Sequence, residues 1–359
     1  MGVAAGVAAL FPPQNRDWGL PSEASLTPHA AERVCREAAQ KSFDEAAKSL
    51  EIDWAVALDG KQIQRWAEAF GERMVGERDA EVRAYQRGRR PESPPNAPAL
   101  LVVGVDGGRW QGREKDPQTD SRWREDKICT VTTYLPGDGA DRPPEKLITT
   151  HVATTRDAAA FGPMARLEAE RRGARAATAV TLMGDCAHWI DSLQEEHFPF
   201  DQRIADYHHA VEHLWEASRA ALGPDSPKVP TLAEQLASWL YEGQVEKVIT
   251  RLQSESAKLG AVRQSDSPQH PRRILAREMG YFVRNQGHMN YPQYRKKGFP
   301  IGSGNTESGV KLFNKRVKGT EQFWGEGGIE AILCLRAQWI SQDQRWSRYW
   351  STRPAYRAA

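Results

Sequence analysis

With 359 residues, 40% hydrophobic and 27% charged, the chain is long enough to bury a sizeable core and is expected to hold two or three domains, which excludes a disordered protein. No apolar run approaches 18 residues and the small apolar stretch 1–10 lacks a basic leader-type start, so neither a membrane span nor a secretory leader is expected, and a cytoplasmic protein is. Cys35, Cys129, Cys186 and Cys334 form no Cys-x-x-Cys pair, against a zinc ribbon or disulfide framework, and the net charge of +2 hides basic clusters at 83–90, 295–297 and 311–318.

Residues 1–25, with Pro12, Pro13, Gly19 and Pro21, read as irregular. Thr27-Pro28 then opens a helix to about residue 40, with Thr as N-cap and Pro in the first turn. Ser42-Phe43-Asp44-Glu45 is a capping box for a second helix to about residue 50, and Asp59 or Gly60 starts a third whose apolar spacing over 61–70 is helical. Three short helices with a turn before the last suit a helix-turn-helix module over 26–86; a helical hairpin packed on the next domain has the same pattern. Residues 87–99 are proline-rich, charged and without apolar period, a linker.

Strands follow at 101–106, 127–135 (closed by Pro136-Gly137) and 146–152, close enough to be antiparallel neighbours. A helix over 157–172, a strand over 178–183, a turn at Asp185, a short helix through 193 and a strand over 200–206 complete an α/β domain with a mixed sheet. Residues 208–285 are wholly helical, spaced by Trp215, Leu222, Leu236, Trp239, Leu240, Val248 and Leu252. The segment 329–350 is helical, and its Trp346 and Trp350 suit packing better than a stacking platform.

Three acidic residues stand out against this frame. Asp106 ends a buried-type strand before Gly107-Gly108, Asp185 follows another, and Glu307 lies just inside a late helix that Ser303 or Asn305 caps, with Lys311 one turn on. Singly, each is an ordinary turn former or helix residue. Together they are the donor set that a hard divalent cation such as magnesium needs for phosphoryl transfer. Asp206-Tyr207-His208-His209 is a second polar knot, too poor in ligands for zinc and better read as a structural network or DNA contact. Glu125 either approaches the same sheet edge or is an exposed hairpin residue.

These motifs, in order, resemble those of DDE transposases of bacterial insertion sequences, most closely the ISKra-type group, with a more distant likeness to Mutator-like elements. The resemblance covers 100–350 and rests on Val105-Asp106-Gly107, Trp123-Arg124-Glu125, Gly184-Asp185-Cys186-Ala187-His188-Trp189-Ile190 and Asp206-Tyr207-His208-His209-Ala210-x-Glu212-His213-Leu214. It continues through Gly302-Ser303-Gly304-x-x-Glu307-x-x-x-Lys311, Lys318-Gly319, Trp324 and Ile332-Leu333-x-Leu335-Arg336-Ala337.

The resemblance implies an RNase H-like core in two parts, 100–207 and 291–359, around a helical insertion at 208–290, after a helix-turn-helix-like region. It implies Asp106, Asp185 and Glu307 as catalytic, metal-binding residues, with magnesium or manganese as cofactor. Asp206 and His209 fit the family's Asp-x-x-His signature and, with Lys311, Lys315, Arg316 and Lys318, are the auxiliary or DNA-contact candidates. The partners would be DNA, as element ends and target, and further copies of the chain pairing two ends. Relatives often carry a Cys-rich segment ahead of the helical region, so this chain reads as a short member or one lacking an upstream piece. The implied activity is cleavage of element ends and transfer of the 3′-hydroxyl strand into target DNA by two-metal phosphoryl transfer. The alternatives are a truncated or domesticated DNA-binding protein and a nuclease of the same fold without strand transfer.

Overall fold

The structure, a computed structural model, describes residues 26–139, 142–319 and 322–352, so the irregular segment expected at 1–25 lies outside the described residues. The first three helices are α1 (Pro28–Ala38), α2 (Phe43–Trp54) and α3 (Gly60–Gln86). Their starts are set locally. Thr27 accepts from the Ala30 amide, and Ser42–Glu45 and Asp59–Gln62 each form a reciprocal capping box.

The apolar stripes of these helices do not form a core of their own. Val34, Leu50, Ile63, Phe70 and Met74 share one buried cluster with Phe313, Ile332, Leu333, Trp346 and Trp350 near the other end of the chain. Gly71 on α3 lies so close to the Ala331 backbone that a Cβ there would collide with it. Two turns on, Arg78 forms a buried ion pair with Glu330 at 2.8 Å.

The sheet comprises β1 (Leu100–Gln111), β2 (Trp123–Leu135), β3 (Glu145–Thr154), β4 (Ala179–Gly184) and β5 (Gln202–Ala205), in the order β3-β2-β1-β4-β5. Strands β1, β2 and β3 pair antiparallel in sequence, while β4 joins β1, and β5 joins β4, in parallel. A three-stranded meander extended by parallel strands on the far side of β1 is the RNase H-like arrangement. The expected mixed α/β architecture is therefore present.

Helices α4 (Ala158–Arg171) and α5 (His188–His197) cover one face, packing Phe161, Met164, Ile190 and Leu193 on Val103, Val105, Cys129 and Val131. After β5 come α6 (Tyr207–Leu222), α7 (Val229–Tyr241), α8 (Val245–Leu259) and α9 (Pro271–Asn285), whose inner face joins the β4–β5 side of the sheet through Met183 and Ile204. Helix α10 (Tyr291–Lys296) then leads to α11 (Gly304–Val317), which lies across β1 and β2 on the other face. Helices α12 (Glu326–Ile340) and α13 (Arg345–Ser351) follow. No helix among the described residues is long and apolar enough to cross a membrane.

The structure corrects the expected end of β1, the expected start of β2 and the expected run of the last helix. Strand β1 does not end at Asp106 but runs five residues further, because β2 begins at Trp123 and pairs with it up to Gln111. The glycines at 107 and 108 lie inside a long hairpin arm. The helix expected over 329–350 breaks at Ser341, where the chain bends to satisfy the open edge of β3. Ser341 Oγ accepts from the His151 amide, and Gln342 exchanges hydrogen bonds with Thr149 at 2.8 and 3.0 Å. Trp346 and Trp350 are buried, as packing residues should be.

Candidate active site

Parallel pairing of β1 with β4 ends at Gly104↔Met183. Asp106 and Asp185 each stand two residues past that last pair, so the register alone brings them level at one end of the sheet. The Gly107 amide donates to Asp106 Oδ1 at 2.6 Å, and the Ala187 amide donates to Asp185 Oδ1 at 3.0 Å. These bonds orient one carboxylate along β1 and the other at the turn into α5. Both line an open cleft of about 520 Å³, together with Arg109, Trp123, Glu125 and Trp189.

Glu307 arrives from the opposite face. Its neighbour Thr306 is the contact point of α11 on the sheet: Thr306 Oγ1 lies 3.2 Å from Thr130 Oγ1, and a Cβ on Gly104 would collide with it. Helix α11 therefore touches β1 two residues before Asp106, and only a glycine there lets it. Glu307 is 45% exposed and does not line the cleft, but its charge acts on Asp106. Lys311 approaches Glu307 at 3.6 Å, as the i, i+4 spacing predicts. Neither Ser303 nor Asn305 caps the helix with its side chain, contrary to expectation. The Ser303 hydroxyl is bonded to Asp206, and Asn305 Nδ2 donates to Thr132 at 2.6 Å.

The Asp106 carboxyl is pushed up to about 6, first by desolvation and then by the negative charges of Asp185 and Glu307, against the pull of the Gly107 amide and His209. A desolvated carboxyl that feels two other negative charges is a place where a divalent cation would relieve repulsion. Among the described residues, no group of three or more His, Cys, Asp or Glu side chains is placed so that it could hold a metal ion.

Asp206 is buried and caps α6, accepting from the His208 and His209 amides at 2.7 and 3.3 Å; it also accepts from the Ser303 amide at 3.1 Å. Of the two readings, structural network or DNA contact, its 2% exposure and its bonds to both segments fit the first. It ties the start of α6 to the start of α11, the helix that carries Glu307. Replacing Asp206 with Ala is expected to cost about 2–3 kcal/mol in a denaturant titration, through the lost cap and the buried Ser303 donors. His209, half-buried on α6, stands 4.7 Å from the His213 ring, which stacks at 3.8 Å on Tyr281 and bonds Glu278.

The basic run at the end of α11 divides by face. Lys311, Lys315 and Lys318 are exposed. Arg316 is 1% exposed, so it is corrected from a DNA contact to a packing residue. Its Nε donates to Ala38 O at 2.6 Å, and its guanidinium stacks between Phe43 and Trp324 at 4.9 and 5.1 Å. Burial lowers it to about 9.

Sequence reasoning passed over three residues here. Trp123 and Trp189, which nothing in the sequence sets apart from packing tryptophans, both line the cleft. Asp126 is fully buried beside Gly108 with neither oxygen hydrogen-bonded, and desolvation pushes it up to about 7. The strand alternation that turns Ile128 inward also turns Asp126 inward, and that was the available signal.

No protein-family model and no curated protein matches the chain. Among solved structures, the chain is similar to a Drosophila P element transposase strand transfer complex, at 10% identity and a TM-score of 0.37, over 93% of this chain and 96% of that one.

Proposed function

We propose that the chain is a metal-dependent DDE-type DNA transposase of the bacterial insertion-sequence kind, ISKra-type by its motifs. The observation that carries this reading is the level placement of Asp106 and Asp185 beyond the β1–β4 pairing, with Glu307 brought to the same strand by α11. In this reading, Asp106, Asp185 and Glu307 hold magnesium or manganese. Bound there, the metal would supply Lewis acidity and a template for in-line phosphoryl displacement.

The chain's own groups position the DNA. Lys315 and Lys318 on the exposed face of α11, and Arg109 in the cleft, meet the phosphate backbone, while Asp206 fixes the helix that presents Glu307. Water first breaks the phosphodiester at an element end, leaving a 3′-hydroxyl and a 5′-phosphate. That hydroxyl then attacks a target phosphodiester, joining the strands and releasing a target 3′-hydroxyl. Two copies of the chain would hold the two ends. Cleavage and joining of labelled element ends in magnesium test the reading directly. Cutting without joining would mark a nuclease of the same fold.

A second reading is a DNA-binding protein that does not cut, and the exposed Glu307 outside the cleft favours it. It is separated from the first by end-specific binding without metal-dependent products.

In either case binding should weaken with salt. Lys318→Ala is expected to lower the slope of log Kobs against log salt by about 0.9, one phosphate contact. Arg316→Ala should leave the slope unchanged while lowering stability. Equal slope changes in the two variants would mean that the buried and exposed cations are assigned the wrong way round.

A further inference from the structure

Trp123 is 44% exposed at the start of β2, inside the cleft that Asp106 and Asp185 line. Lys318 Nζ sits 5.6 Å from its ring centroid. Nearby in the chain, Arg122 covers the 41% exposed Phe323 at 5.3 Å, and Arg124 covers Trp110 at 5.4 Å. Trp189, across the cleft on α5, is held edge-on to Phe161 at 5.8 Å and by Lys127 at 5.0 Å. Large aromatic surface left open beside cations, in a cleft with carboxylates, is poorly suited to a protein core contact. It suits a ligand that brings both a flat π-face and negative charge.

We propose that Trp123 is a stacking platform for an unpaired deoxynucleotide next to the reacting phosphate, with Lys318 as the cation for that nucleotide's own phosphate. This deepens the transposase reading and rests on it only for the identity of the reacting phosphate. A base within a duplex presents only its edge in the grooves, so the face of a ring lining a cleft is reached by a base that has left its stack. Stacking needs no particular base, because every base has a π-face. The platform would therefore favour unpaired over paired DNA without fixing a sequence.

The test uses the full chain and two fluorescein-labelled probes of about 15 nucleotides, an oligothymidylate strand and an unrelated duplex. Trp123→Ala is expected to weaken strand binding about tenfold and duplex binding less than twofold, with Trp123→Phe restoring most of the strand affinity. A 2-aminopurine placed in the strand should be quenched on binding wild type and remain bright with Trp123→Ala. Melting curves matching wild type show that the half-exposed site still folds.

The proposal is overturned if wild type does not hold the strand, if Trp123→Ala binds it normally, or if strand and duplex weaken equally. Asp106→Asn keeps the two readings apart, since it should retain the strand affinity. If wild type cuts no element end but the Trp123 effect stands, the transposase reading fails and the platform does not.

Discussion

Asp106→Asn, Asp185→Asn and Glu307→Gln should each lower metal-dependent strand cleavage by on the order of 1,000-fold, about 4 kcal/mol of transition-state stabilisation. The three changes are nearly isosteric and leave the packing alone. Asp106 and Asp185 each accept a single backbone hydrogen bond, which an amide oxygen can also accept, and Glu307 is half-exposed. What each removes is one negative charge from a cluster whose members act on one another, as the upward push on Asp106 records. Affinity for DNA should hold or rise, because charge repelling the backbone is lost. A gel assay of labelled ends alongside filter binding measures both. Loss of cutting with Asp106→Asn and Asp185→Asn, but full activity with Glu307→Gln, would remove α11 from the active site.

The largest stability effect is expected far from the cleft. Glu168 on α4 is fully buried and is bonded to Arg345 of α13, with Arg171 at 3.4 Å. Burial alone would raise its carboxyl; the Arg345 and Arg171 charges overcome this and hold it at about 2. Arg345→Ala leaves that carboxylate buried without its closest counter-charge and should cost about 3–5 kcal/mol in guanidinium unfolding at neutral pH. The sign with pH follows from the depressed value. The pair's contribution is present above the ordinary glutamate value of 4.5 and is lost as pH falls from there through about 2. The gap between wild type and Arg345→Ala should therefore narrow over that window. A gap independent of pH would mean that lost packing rather than lost charge sets the cost.

Much of this was legible because it is local. The caps at Thr27, Ser42 and Asp59 declare their helices through side chains within three residues, and the β-branched run 127–135 declares β2. Asp185 could be placed at a strand end because β4 is short and stops there.

What failed was non-local. Gly107-Gly108 reads as a stop, and only the pairing of Trp123 with Gln111 shows that the strand continues. The break at Ser341 is caused by the open edge of β3, almost 200 residues away in sequence. Arg316 hides in a basic run, although it lies three residues after Phe313 on the buried stripe of α11; periodicity, rather than charge, marks its face. The residues that line the cleft beyond the carboxylates, Trp123 above all, declare themselves only through exposure, which a sequence does not carry.

Whether the three carboxylates share one metal site is most directly read by local backbone cleavage. With iron(II) in place of magnesium and ascorbate with peroxide added, hydroxyl radicals cut the chain next to the bound ion. Fragments ending near Asp106, Asp185 and Glu307, all suppressed together by excess magnesium and all weakened by Asp106→Asn, are the expected result. Cuts near Asp106 and Asp185 with none near Glu307, or cuts that persist in Asp106→Asn, would contradict a single three-carboxylate site.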